Sequence, residues 1–148
     1  MPDAPLFLVL NAGSGNSDTD TVSDTIAEIL NSAGRTHEIL RVDDPKRLHQ
    51  IATQAVAKTK QSDGIVVAAG GDGTLNTVAQ VALRSNCPFG VIPQGTFNYF
   101  GRTHGISSDT AEATRALLSA RVQPVQVGTV NGNVFLVNAS LGLYPQLL

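Results

Sequence analysis

Apolar and polar positions along the chain switch repeatedly between short continuous runs and helical spacing. "LFLVLN" (6–11) is an unbroken apolar run, the pattern of a strand buried on both faces. A turn of Gly, Ser, Asn and Asp follows and reads as non-helical up to Asp18. Val22, Ile26, Ile29, Leu30 and Ala33 then recur at helical spacing until Gly34, which supplies a stop. "THEILRV" (36–42) predicts a second strand. Asp44 and Pro45 have the order of an N-cap and first position of a second helix, whose buried stripe is Leu48, Ile51, Ala52, Ala55 and Val56. "IVVAAG" (65–70) predicts a third strand, and "GGDG" leads from it into a helix with Leu75, Val78, Ala79 and Leu83 on one face. "CPFGVIP" (87–93) predicts a fourth strand, followed by a glycine-punctuated loop, "QGTFNYFGRTHGI" (94–106). Asp109 and Glu112 have capping-box spacing for a last helix running through Ala120.

This alternation predicts an α/β fold, a three-layer sandwich with a mostly parallel sheet and helices on both faces, over residues 1–121. Ligands in such folds sit outside the carboxyl ends of the strands, where the turns at 12–16, 70–73 and 94–98 are expected to converge. From residue 122 the pattern changes to two strands joined by Asn131-Gly132, an antiparallel hairpin with a type I′ turn. Residues 122–148 are therefore expected to begin a second, β-rich domain that is cut short at Leu148.

Composition narrows the function classes. The 148 residues carry 10 Lys and Arg against 12 Asp and Glu, a formal charge of -2, and the seven Arg and three Lys are scattered. That leaves no footprint for nucleic acid. The single Cys87 forms no internal disulfide and reads as a small buried hydrophobe. The N-terminus lacks a basic region, and no apolar stretch approaches the ~18 residues of a membrane span. A cytoplasmic location is the expectation.

Glycines 70, 71 and 73 can take φ > 0 and let backbone N–H groups approach a ligand, and a helix start beside them favours an anion. Phosphate is the natural guest. Asp72 then has two readings: an N-cap of its own helix, worth ~1 kcal/mol, or a carboxylate that reaches phosphate through Mg²⁺, which commonly takes one or two carboxylates plus substrate phosphates. The loop has no Lys and is no Walker P-loop. Thr96 and Asn98 offer a hydroxyl and an amide to phosphate or nucleotide, or else satisfy their own turn. Gly13-x-Gly15 partly matches a dinucleotide fingerprint with Asp43 as a ribose-binding acid, but Asp18 stands where the third glycine belongs. Ser14 lacks the full nucleophile elbow because position 12 is Ala, and His37, His49 and His104 have no metal-ligand spacing.

Together "NAGSGN", "GGDGTLN" and "PQGTFNYFGR", in this order, resemble the catalytic domain of the diacylglycerol kinase family, including bacterial lipid kinases. The resemblance covers nearly the whole chain. It implies a nucleotide loop at Gly70, Gly71, Asp72, Gly73, Thr74, Leu75 and Asn76, with Asp72 in Mg-ATP binding and as the metal contact. It also implies a phosphate-contacting Thr96 with Asn98 in the third loop, and a first turn of Asn11, Ser14 and Gly15 that shapes the ATP site. Ala12, Thr77 and Tyr99 depart from the family's usual Pro, Glu and Asp, and Asp43 stands near where some members use a threonine. The family's general base lies in its second domain, so no catalytic residue is assigned within residues 1–148.

The implied function is transfer of the ATP γ-phosphate, with Mg²⁺, to a diacylglycerol-like lipid hydroxyl at the membrane surface. The isolated chain is expected to be inactive. An NAD kinase-like enzyme shares "GGDGT", and a non-catalytic nucleotide-binding module is the reading from another class. Exposed strand edges around 125–140 make a homodimer a further expectation.

Overall fold

The computed structural model describes residues 3–11 and 16–136. Its first strand, β1, is Leu6–Asn11, and the helix α1 is Asn16–Ser32. The strands β2 (His37–Arg41), β3 (Ile65–Gly70) and β4 (Phe89–Pro93) join β1 in one parallel sheet of order β2-β1-β3-β4. Between them run α2 (Leu48–Gln61) and α3 (Asp72–Arg84), and α5 (Thr110–Ser119) follows a five-residue helix, α4 (Tyr99–Thr103). The antiparallel strands β5 (Gly128–Val130) and β6 (Asn133–Phe135) make a separate hairpin.

The period of two along β1 divides it between two cores. Leu6, Leu8 and Leu10, each 1% exposed or less, pack with Ile26, Leu30, Val67, Ile92 and Ala113 under α1 and α5. Phe7 and Val9 face the other way, into Ile51, Ala52, Ala55, Val56, Leu75 and Val78 of α2 and α3. Each buried leucine or isoleucine contributes about 1.5–3 kcal/mol relative to exposure. The three-layer α/β expectation is met.

Punctuation agrees at several joints. Gly34 takes φ +65 and lets the Arg35 N–H donate to Leu30 O at 2.8 Å, closing α1. The Asp109 carboxylate accepts from the Glu112 N–H at 2.8 Å and caps α5. Glu112 does not complete the reciprocal box: it accepts from the Ser107 hydroxyl at 2.6 Å, whose oxygen in turn accepts from the Asp109 N–H. Asn131 and Gly132 both have positive φ, 50 and 78, as a type I′ turn requires.

Four expectations need correction. Helix α1 begins at Asn16, inside the stretch read as turn, because Asp18 falls in its first turn where the helix dipole favours an acid. Asp44 caps a single 3₁₀ turn, Pro45–Arg47, through the Lys46 N–H at 3.0 Å, and α2 starts after it at Leu48. Leu83, expected in the core, is 50% exposed. It shares a helical strip with Asn76 and Gln80, while the buried arc of α3 runs through Val81 and Ala82 instead. The 94–106 loop contains α4, whose N-terminus is held by a residue far away in sequence.

Candidate functional site

The strand order reverses between β1 and β3, so the crevice opens at their carboxyl ends, where Asn11 and Gly70 are paired. Three observations bring the connecting segments together there. The Asn11 amide donates to the Thr74 hydroxyl at 3.1 Å, tying the end of β1 to the first turn of α3. The Gln94 N–H donates to Gly70 O at 2.8 Å. Gly71 and Gly95 touch backbone to backbone: a Cβ on Gly95 would stand 2.7 Å from the Gly71 Cα. Gly70 is equally confined, since a Cβ there would lie 2.7 Å from the Thr74 Cβ. The convergence expected of the second and third loops is therefore present, while Ser14 and Gly15 lie outside the described residues.

Asp72 does not cap its own helix. Gly71 takes that position with extended backbone, φ -76 and ψ 176, and makes no side-chain hydrogen bond. Asp72 is the first helical residue, and its carboxylate reaches across to the third loop. There Oδ2 accepts from the Tyr99 N–H at 3.0 Å and Oδ1 from the Phe100 N–H at 3.3 Å. The acid thus satisfies two orphan donors at the start of α4, a charge-assisted cap that no local pattern announces. A carboxylate has about four lone-pair sites, so each oxygen keeps capacity for a further partner. Among the described residues no cluster of three or more His, Cys, Asp or Glu could hold a metal. Asp72 alone fits an ion that takes one carboxylate and completes its shell with water and phosphate oxygens.

The remaining candidates divide. Leu75 is 1% exposed and its N–H already donates to Gly71 O at 3.0 Å, so it serves the core and the first helical turn. Asn98 sits at φ 51 and spends both amide atoms on Gly95: its Oδ1 accepts from the Gly95 N–H at 2.8 Å and its Nδ2 donates to Gly95 O at 2.9 Å. It satisfies its own turn and, by doing so, shapes the loop. Asn76 accepts from the Leu136 N–H at 3.1 Å. Gly73 and Thr96 are exposed.

Thr96 borders a cleft of about 410 Å³, also lined by Gln94, Gly95, Asn98, Arg102 and Ser108. Sequence reading passed over Arg102. Its position four residues after Asn98, on the same face of one helical turn, is the signal that could have found it. Arg102 makes no ion pair with any described residue and brings a positive charge to the cleft wall. Beside it Phe97 and Tyr99 stack at 5.4 Å and 6°, 58% and 47% exposed.

The diacylglycerol kinase catalytic domain pattern matches residues 5–130. A diacylglycerol kinase of Staphylococcus saprophyticus is 33% identical over 104 residues, 69% of this chain and 34% of that protein. One of Bacillus subtilis is 40% identical over 86 residues, covering 56% and 28%. The crystal structure of a diacylglycerol kinase from Bacillus anthracis superposes with a TM-score of 0.74 at 29% identity, over 90% of this chain and 45% of that one. The chain thus spans about a third of the length of the relatives it matches in sequence, and somewhat under half of the solved one. The family pattern spans residues 5–130, most of the chain, and the chain belongs to the diacylglycerol kinase catalytic domain family.

Proposed function

We propose that this chain is the ATP-binding part of a lipid kinase that transfers the γ-phosphate to the hydroxyl of a diacylglycerol-like lipid at a membrane surface. The observation that carries the reading is Gly73. It is exposed, its φ is not positive, and a Cβ there would meet nothing among the described residues within 4 Å. Gly73 lies in the first turn of α3, where glycine costs up to about 1 kcal/mol relative to Ala, and nothing among the described residues requires it. A ligand lying against the start of α3 supplies the requirement.

In this reading the free N–H groups at Asp72, Gly73 and Thr74 bind phosphate oxygens, and Thr96 and Arg102 of the third loop supply further contacts. Asp72 would hold Mg²⁺, directly or through water, which when bound neutralises charge on the transferring group. Transfer breaks the bond from the γ-phosphorus to its bridging oxygen, releases ADP and forms a bond to the lipid oxygen, whose proton passes to a base. The acids of the β3–α3 and β4–α5 connections are engaged, Asp72 by Tyr99 and Phe100 and Asp109 by Glu112. With Asp72 given to the ion and Asp109 to the cap of α5, neither serves as the base in this reading, and residues 1–148 alone are expected to transfer little or no phosphate. No helix among the described residues is long and apolar enough to cross a membrane, which suits an enzyme that meets its lipid at the surface.

Gly73→Ala tests the cradle without endangering the fold. It should raise the melting temperature slightly, by up to about 1 kcal/mol of stability, and weaken Mg-ATP binding at least about tenfold by calorimetry. Unchanged ATP affinity in a stabilised variant would sink the reading.

A further inference from the structure

Helix α3 presents two amide side chains, Asn76 and Gln80, one turn apart on a single face; Gln80 is spent on β6 and Asn76 on Leu136, the residue after it. The Leu136 N–H donates to Asn76 Oδ1 at 3.1 Å. The Val134 N–H donates to Gln80 Oε1 at 2.5 Å, and Gln80 Nε2 donates to Asn133 Oδ1 at 3.0 Å. Residues 134 and 136 lie on the same side of an extended chain, so their N–H groups repeat at about 6.6–6.8 Å. Side chains at i and i+4 of a helix repeat at about 6 Å. The two repeats match, and α3 reads the backbone of β6 as a neighbouring strand would. Val134, whose N–H makes the middle contact, is 7% exposed.

We infer that Asn76 and Gln80 are a docking ladder: they fix where the chain leaving this region stands relative to the phosphate loop, and Asn76 is a positioning residue, not a nucleotide contact. Four positions before Asn76 on the same helix, Asp72 holds the third loop. One rigid element therefore sets the second loop, the third loop and the strand of residues 133–135 at fixed distances. The consequence for phosphoryl transfer rests on the kinase reading above: the ladder holds residues 133–136 at a fixed distance from the loop proposed to bind phosphate. The ladder itself does not rest on that reading.

Two substitutions at position 76 separate the roles. Asn76 uses only its carbonyl oxygen here, so Asn76→Asp keeps the acceptor for Leu136 while replacing the amide donor with a charge that repels phosphate. Asn76→Ala removes both. Hydrogen exchange on the 148-residue chain should show the Leu136 amide exchanging about tenfold faster in Asn76→Ala, the loss of one hydrogen bond, and near the parent rate in Asn76→Asp. Gln80→Ala should accelerate Val134 by a similar factor. Mg-ATP affinity, read by calorimetry, should stay within about threefold of the parent in Asn76→Ala and Asn76→Asp. An unchanged Leu136 rate in Asn76→Ala overturns the ladder. So does a tenfold loss of Mg-ATP affinity in either Asn76 variant. If the parent chain binds no Mg-ATP, the kinase reading fails, and the exchange rates still decide the ladder.

Discussion

Residues 6–93 bury apolar side chains on both faces of four parallel strands, whereas the hairpin of residues 128–135 buries one side chain, Val134, and leans on α3 through Asn76 and Gln80. The sheet is held by area removed from water, a force without direction that tolerates small shifts. The hairpin is held by hydrogen bonds, which are directional and give a modest net stabilisation of about 1 kcal/mol each. A region fixed the first way is stable and insensitive to placement. One fixed the second way is accurately placed and easily released.

The largest expected effect lies in the sheet. Leu8 is 0% exposed and faces the α1 and α5 core, so Leu8→Ala should cost about 2–5 kcal/mol in urea denaturation. All parts of the sheet should lose protection together. A loss confined to β1 would mean that the two cores are not one cooperative unit. At the junction of the regions, Asp72→Asn leaves one carbonyl oxygen to serve the Tyr99 and Phe100 N–H groups, at about 1 kcal/mol of stability. Mg-ATP affinity should fall more than tenfold, because the charge is lost along with the second acceptor. Equal losses in the two measurements would assign Asp72 to holding the third loop and nothing more. The smallest effect belongs to the hairpin. Val134→Ala should lower global stability by less than about 1 kcal/mol, since the loss is capped by what docking itself contributes. Exchange at residues 128–136 should nevertheless rise. A cost as large as that of Leu8→Ala would erase the distinction between the two regions.

How well the sequence foretold each region follows the same divide. The strands Leu6–Asn11 and Ile65–Gly70 are continuous apolar runs, and the stripe Ile51, Ala52, Ala55 and Val56 is a matter of spacing along one helix. Such burial is written locally. The Asn131-Gly132 turn was readable for the same reason, because its positive φ values select residue types on the spot. Helix α4 was not. Its cap comes from Asp72, 27 positions before Tyr99. Leu83 misled because the strip of α3 it occupies is claimed by a hairpin 50 or more positions downstream, through Gln80 and Asn133. At the site, glycine spacing gave the loops and Asn98 satisfies its own turn as its residue type suggests, but the assignments of Asp72 and Asn76 depended on partners that only the fold supplies.

The contact between Gly71 and Gly95 is lopsided. A Cβ on Gly95 would press to 2.7 Å from the Gly71 backbone, whereas a Cβ on Gly71 would stay 3.4 Å from Gly95. For an engineer the two positions are unequal attachment points. A cysteine carrying an environment-sensitive dye can be introduced at 71 with its first carbon in ordinary contact. The same label at 95 would wedge the loops apart before any ligand arrived. Position 71 is therefore the one from which to report on occupancy of the crevice, and position 95 the one to leave alone.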